Sequence, residues 1–167
     1  MSESSSVRST YERALDMLEA RARGSDELRR RLLRKGEPEA EVDAAIARLT
    51  EAGLLDDANY ARQMARSKAL GSGQSRRRIQ QDLARRGVDR EIASDAIDQV
   101  FADEGVDDAI TIERVARKKF RTLSKLDAVA QKQRLYGFLA RRGYDGDDIA
   151  RVLRVILVER DTTTESE

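Results

Sequence analysis

The chain contains no cysteine and no histidine. Without cysteine there is no disulfide and no thiolate metal site. Without histidine the commonest general base, the usual activator of a nucleophile and the commonest metal ligand are all missing. An enzyme is disfavoured, and neither a metal nor another cofactor is expected. Proline occurs once and aromatic residues make up only 4% of the chain. The longest apolar stretch, Val152 to Val158, is short and broken by Arg154, so no membrane span is expected. The opening Met1-Ser2-Glu3-Ser4-Ser5-Ser6 has no apolar signal region, and a cytoplasmic protein is expected. The net charge is +1. Global charge therefore argues for no polyanionic partner, and the local distribution has to carry that question.

What is present is charge in helical spacing. Asp, Glu, Lys and Arg make up 38% of the residues, well above the usual quarter. One phrase occurs three times. Leu28-x-x-x-Leu32-x-Arg34-Lys35-Gly36 returns as Ile79-x-x-x-Leu83-x-Arg85-Arg86-Gly87 and as Leu135-x-x-x-Leu139-x-Arg141-Arg142-Gly143. The apolar pair, four residues apart, lies on one helical face. Glycine after a basic last turn signals a helix C-terminus, because glycine tolerates positive φ and the cations oppose the negative end of the helix dipole. The glycines are 51 and 56 residues apart, and a period near 50 implies a tandem array. Each unit is too small to bury a large core alone, so neighbours should stack.

The expected fold is all-α: a tandem array of three three-helix, helix-turn-helix-like repeats, elongated and curved. Repeat 1 covers 10–53, repeat 2 covers 54–104 and repeat 3 covers 105–159, between disordered tails at 1–9 and 160–167. Ser25 is expected to cap the second helix and Asp56 the fourth. Pro38 suits the first turn of the third helix. Gly71-Ser72-Gly73 reads as a turn, since it lacks the Gly-Lys-Ser/Thr ending of a phosphate loop. Phe120 to Ser124 read as a break between helices. Arrays of this kind present extended surfaces and more often bind than catalyse.

Three basic runs stand out: Arg29-Arg30-Arg31, Arg76-Arg77-Arg78 and Arg117-Lys118-Lys119. Any single cation could be a solvated side chain or, like Arg141 and Arg142, a complement to a helix C-terminus. Three consecutive arginines at 100° each span most of a helix circumference, so the dipole cannot explain all of them. Collectively the runs read as a surface for phosphate or for an acidic protein. Acidic residues follow each repeated glycine: Glu37, Glu39 and Glu41; Asp89 and Glu91; Asp145, Asp147 and Asp148. They suit helix N-termini. A DNA-reading helix-turn-helix meets phosphates and base edges with that same part of its second helix, where acids would repel the backbone. Asp56-Asp57 diverge on a helix and have no third ligand nearby, so capping is a better reading than a metal pair. Asp103, Glu104, Asp107 and Asp108 lack the alternation of a calcium loop.

Several of these phrases together resemble the RecX family of recombination regulators. They are Ala14-Leu15-x-x-Leu18, Glu27-Leu28-x-x-x-Leu32-x-x-Lys35-Gly36, Gly53-Leu54-Leu55-Asp56-Asp57-x-x-Tyr60-Ala61-Arg62, Ile79-x-x-x-Leu83-x-x-x-Gly87 and Arg134-Leu135-x-x-x-Leu139-x-Arg141-Arg142-Gly143-Tyr144. The resemblance covers about residues 10–157, and the Leu-Leu-Asp-Asp-x-x-Tyr-Ala stretch is its most specific part. Gly24 departs from it, where the family often has a bulkier residue before the serine. The resemblance implies a non-enzymatic modulator of the RecA recombinase in homologous recombination, DNA repair and the SOS response. Such a protein binds the RecA filament along its groove and suppresses ATP hydrolysis and strand exchange. Asp56, Asp57, Tyr60 and Ala61 match the family signature and read as structural. The expected partner contacts are Arg29, Arg30, Arg31, Arg76, Arg77, Arg78, Arg117, Lys118, Lys119, Arg141 and Arg142. A monomer is expected, with single- or double-stranded DNA of weak sequence preference as a further partner. The alternative is a stand-alone helix-turn-helix DNA-binding protein, a transcription regulator.

Overall fold

A computed structural model describes residues 8–164, with side chains through 158. The described residues form nine α-helices and no strand. They are α1 (Thr10–Ala20), α2 (Ser25–Arg34), α3 (Glu39–Glu51), α4 (Asp57–Arg66), α5 (Arg76–Arg85), α6 (Arg90–Asp103), α7 (Asp108–Arg121), α8 (Ala128–Arg141) and α9 (Gly146–Thr164). A π-helical turn, Ser67–Gly71, continues α4. No helix among the described residues is long and apolar enough to cross a membrane.

The repeated phrase acts as its spacing predicts. Leu28, Leu32, Ile79, Leu83, Leu135 and Leu139 are all fully buried. Each such side chain contributes about 1.5–3 kcal/mol of burial. The glycines Gly36, Gly87 and Gly143 have φ of 86°, 76° and 89°, a left-handed turn that only glycine adopts cheaply. In repeats 1 and 2 the turn returns an amide to the second residue of the apolar pair. Glu37 N–H donates to the Leu32 carbonyl at 3.2 Å, and Val88 N–H donates to the Leu83 carbonyl at 3.1 Å. The inward face and the helix stop are therefore joined in one hydrogen bond.

In repeat 1, α1, α2 and α3 pack on one another around Ala14, Leu28, Leu32, Val42, Ala45 and Leu49. In repeat 3, α7, α8 and α9 do the same around Ile112, Leu135, Leu139, Ile149, Leu153 and Ile156. The chain divides into two compact bodies. One comprises residues up to 63 with 82–96, and the other 64–81 with 97 onwards. The division runs through the middle repeat. It follows the two junctions described below, each of which lies inside one body.

Five local expectations change. Ser25 is not a cap but the first residue of α2, and Gly24 at the cap position makes no side-chain bond. Pro38 is the N-cap of α3, just before its first turn. The Gly71-Ser72-Gly73 turn begins late, because α4 continues through the π-helical turn and the backbone reverses at Gly73, φ 60°. Phe120 belongs to α7, which its packing on the repeat 3 core keeps helical to Arg121. At the C-terminus α9 runs on to Thr164, past 159. Of the expected N-terminal tail, residues 1–7 lie outside the described residues. Ser9 caps α1: its hydroxyl accepts from Glu12 N–H at 3.2 Å, and its own N–H donates to Glu12 at 2.8 Å.

Candidate interaction surface

Two junctions set which side chains are left for a partner, and they are built alike. At the first, Asp57 opens α4 and reaches the start of α2. Its carboxylate accepts the Ser25 N–H at 2.7 Å and the Ser25 hydroxyl at 2.5 Å. At the second, Asp108 opens α7 and accepts the Arg76 N–H, at the start of α5, at 3.4 Å. Both pairs are 32 residues apart. A carboxylate from one repeat thus caps the second helix of the repeat before it, where the orphan amides and the positive dipole end favour an anion.

The repeated glycines meet the same helix ends. A Cβ on Gly87 would overlap Asp26, and one on Gly143 would overlap Arg78 and lie 2.6 Å from Ser75 Oγ. Gly36, at the head of the array, has nothing within 4 Å. The junctions carry further bonds. Arg86 Nη1 donates to the Tyr60 hydroxyl at 3.3 Å in the first. In the second, Tyr144 donates to the Gly73 carbonyl at 3.0 Å, Ser75 N–H to the Arg142 carbonyl at 3.0 Å and Arg142 Nε to the Ser72 carbonyl at 2.9 Å. Burial pushes the Tyr144 hydroxyl pKa upward and the Arg142 pKa downward. Of the signature residues, Asp56 accepts from Asn59 N–H at 2.9 Å and Ala61 is fully buried.

The junctions are not equally satisfied. Serine at 25 offers Asp57 two donors. The residue at the matching place in α5 is Arg76, which offers one long amide bond, and Asp108 Oδ1 is buried with no partner. Burial accordingly raises the Asp108 pKa above the usual carboxylate value.

The basic runs do not share one environment. Arg29 pairs with Asp43 at 2.8 Å and with Glu39, both on α3, and these bonds push its pKa above the usual arginine value. Arg30 pairs with Asp26 at 2.9 Å and Arg31 with Glu27 at 3.3 Å. Arg76 stacks on the Phe101 ring and pairs with Asp98. Arg77 donates to the Gly143 carbonyl at 3.1 Å. Arg78 N–H donates to Ser75 Oγ at 3.3 Å. Arg117 pairs with Glu113 at 2.8 Å. Lys119 lies 5.5 Å from the Phe138 ring centroid and Arg142 lies 3.7 Å from the same ring. Lys118 and Arg141 are exposed. Each exposed ion pair is worth about 0–1 kcal/mol, so these bonds orient arginines without removing them from solvent.

The acids after the repeated glycines do structural work. Asp89 accepts from Glu91 and Ile92 N–H at 2.8 and 3.3 Å, and Asp145 from Asp148 N–H at 2.8 Å. Glu37 is buried, bonded to the Thr10 hydroxyl and Arg13, which hold its pKa below the usual carboxylate value.

Two depressions lie among the described residues. One, of about 500 Å³, is lined by Ser25, Thr50, Gly53, Asp56, Asp57 and Ile92 around the first junction. The other, of about 390 Å³, is lined by Lys119 of α7 and by Gln133, Arg134, Gly137 and Arg141 of α8. Runs of adjacent cations do not reveal Arg134. Its spacing does, because 134, 137 and 141 recur at three and four and so share one face of α8. Among the described residues no group of three or more Asp or Glu could hold a metal.

Fold and surface together define an all-α tandem-repeat protein with charged, solvent-facing helices. Comparison with known proteins places it further. Family models described as the first, second and third three-helix domains of RecX match residues 11–49, 56–97 and 107–153. The chain is 37% identical to the regulatory protein RecX of Mycobacterium avium (strain 104) over 132 residues, 78% of this chain and 74% of that one. It is 38% identical to the regulatory protein RecX of Amycolatopsis mediterranei (strain U-32), over 77% of this chain and 72% of that one. The crystal structure of RecX from Lactobacillus salivarius superposes with a TM-score of 0.68 at 22% identity, covering 89% of this chain and 95% of that one, a likeness of fold. The chain belongs to the RecX family of regulatory proteins.

Proposed function

We propose that this protein regulates homologous recombination by binding the filament of a RecA recombinase and inhibiting its ATPase and strand-exchange activities. The supporting observation is the match of all three repeats, in order, to the three RecX domains. The protein acts as a cytoplasmic, monomeric binding module and not as an enzyme. Its relatives are named regulatory proteins, and its carboxylates cap helices and close junctions. The charged contacts come from the basic runs and from Arg141 and Arg142, with the ion-paired arginines supplying direction as well as charge. Asp57 and Tyr60 hold the first junction, Asp56 caps α4, Ala61 packs inside, and none of the four touches a partner. A stand-alone helix-turn-helix reader of DNA fits less well, because Asp89 and Asp145 cap α6 and α9 where phosphate would dock.

The test is ATP hydrolysis by RecA on single-stranded DNA with sub-stoichiometric protein added. Inhibition is expected. Unchanged hydrolysis at every ratio would remove the proposal.

A further inference from the structure

Helix α7 carries a stripe that its own packing does not use. Ile110, Arg114, Arg117 and Arg121 recur at four, three and four residues and so share one face. The helix buries Thr111, Ile112, Val115 and Ala116, which puts the stripe on its outward side. Lys119, about 200° round from Arg117, is not part of it. Ile110 is 70% exposed, more than any other large apolar side chain among the described residues. Arg114 and Arg121 are exposed and have no carboxylate partner among the described residues. The acids beside the stripe are already engaged. Glu113 pairs with Arg117 at 2.8 Å, and Asp107 accepts the Ile110 N–H at 3.0 Å. Counted from the capping residues Asp57 and Asp108, helix α4 has Asn59 and Gln63 where α7 has Ile110 and Arg114. The repeat itself therefore demands neither the isoleucine nor the arginine.

We infer that the outward face of α7 is a docking surface for an acidic, amphipathic segment of a partner protein. A large apolar side chain of that segment packs on Ile110, and its carboxylates face Arg114 and Arg121. Along the helix axis those arginines lie about 6 and 17 Å from Ile110, so the segment carries its acids to one side of its apolar group. The charge of the stripe calls for an anionic partner. Ile110 decides which kind, because a phosphate backbone offers it no apolar surface, whereas a protein segment buries it. A second copy of this chain is disfavoured, since a two-fold pairing through the stripe would set arginines against arginines. This surface is independent of the recombinase reading.

The test is fluorescence anisotropy with the full chain and no RecA, using two labelled peptides. One is a leucine followed by six glutamates, and the other has serine in place of the leucine. The leucine peptide should bind about tenfold more tightly, the worth of one partly buried apolar side chain. Ile110→Asn should erase that difference and leave the serine peptide unchanged. R114Q combined with R121Q should weaken both peptides about fivefold. Lys35→Gln, at an exposed cation of repeat 1, should change neither. The substituted sites are exposed, and α4 carries Asn and Gln at two of them, so the thermal melts should match that of the wild type. Equal binding of the two peptides by the wild type, or no binding of either, would overturn the assignment. So would tighter binding of inorganic polyphosphate than of the leucine peptide, which would mark a phosphate surface. A dimer in sedimentation that Ile110→Asn dissociates would give the face to a second copy and also overturn it. Because RecA is absent, failure here leaves the ATPase test standing, and failure there leaves this one standing.

Discussion

Replacing each repeated glycine by alanine should separate its two roles. All three have positive φ, so each alanine bears the left-handed penalty of about 1–2 kcal/mol. Gly36 bears only that, because nothing lies within 4 Å of the added carbon. At Gly87 the carbon overlaps the Asp26 carboxylate and lies 2.5 Å from Arg30 Nη2 and 2.8 Å from Asp26 Cβ. Those are mostly movable side-chain ends, so relief costs the Asp26–Arg30 pair and a fraction of a kcal/mol more. At Gly143 it overlaps Arg78 Cβ and sits 3.1 Å from the Arg78 Cα, which is backbone. Overpacking against a rigid element adds about 1–3 kcal/mol. The expected losses are therefore about 1–2 kcal/mol for Gly36→Ala, slightly more for Gly87→Ala and about 2–5 kcal/mol for Gly143→Ala. Urea denaturation followed by far-ultraviolet circular dichroism measures the series. Equal losses at all three positions would refute the junction role and leave only the helix stop. A Gly143→Ala loss no larger than that of Gly36→Ala would do the same.

The two capping carboxylates should also differ. Asp57→Ala removes the acceptor of two close donors and should cost about 1–2 kcal/mol. Asp108→Ala removes one long bond and a buried unpaired oxygen, so its cost should be smaller, and equal values would contradict the reasoning. Because the folded pKa of Asp108 is raised, the folded state binds its proton more tightly than the unfolded chain. Its ionised form costs stability above that pKa, and the cost is relieved as pH falls through it. The stability of the wild type relative to Asp108→Asn should rise on acidification. Glu37, with a lowered pKa, contributes stability that is present above the unfolded value and lost as pH falls through the folded one. The advantage of the wild type over Glu37→Gln should shrink in acid, and opposite slopes would sink both assignments. Tyr144→Phe leaves the Gly73 carbonyl without its buried donor and should cost about 1–3 kcal/mol in the same assay.

Much of the helical framework was legible because it is local. A pair four residues apart followed by glycine states a face and a stop, and all six of those apolar residues are buried. Asp89 and Asp145 announce their helices in the same way. The junctions were not legible, because Ser25 and Asp57 are 32 residues apart and no periodicity links them. The same distance misassigned Ser25, which looks like a cap and instead supplies donors to a remote one. In the basic runs adjacency does not mean a shared environment. Consecutive arginines point in different directions, and so Arg29, Arg76 and Arg77 meet α3, Phe101 and the Gly143 carbonyl. Arg134 stands alone in sequence and shares a face with Arg141 only once helical spacing is applied.

Helix length at the end of the array has a consequence for its extension. Measured back from the repeated glycine, α2 and α5 start at the same place, and each has ten residues. Helix α8 has fourteen and starts a full turn earlier, under its own Asp127. The amide that an incoming aspartate would need lies inside that helix. A copy of the middle module appended after repeat 3 would find no foothold. The same copy inserted between repeats 1 and 2 would meet a start like that of α2 on one side and present one on the other. A longer array is therefore to be built from its interior, with the present ends kept as ends.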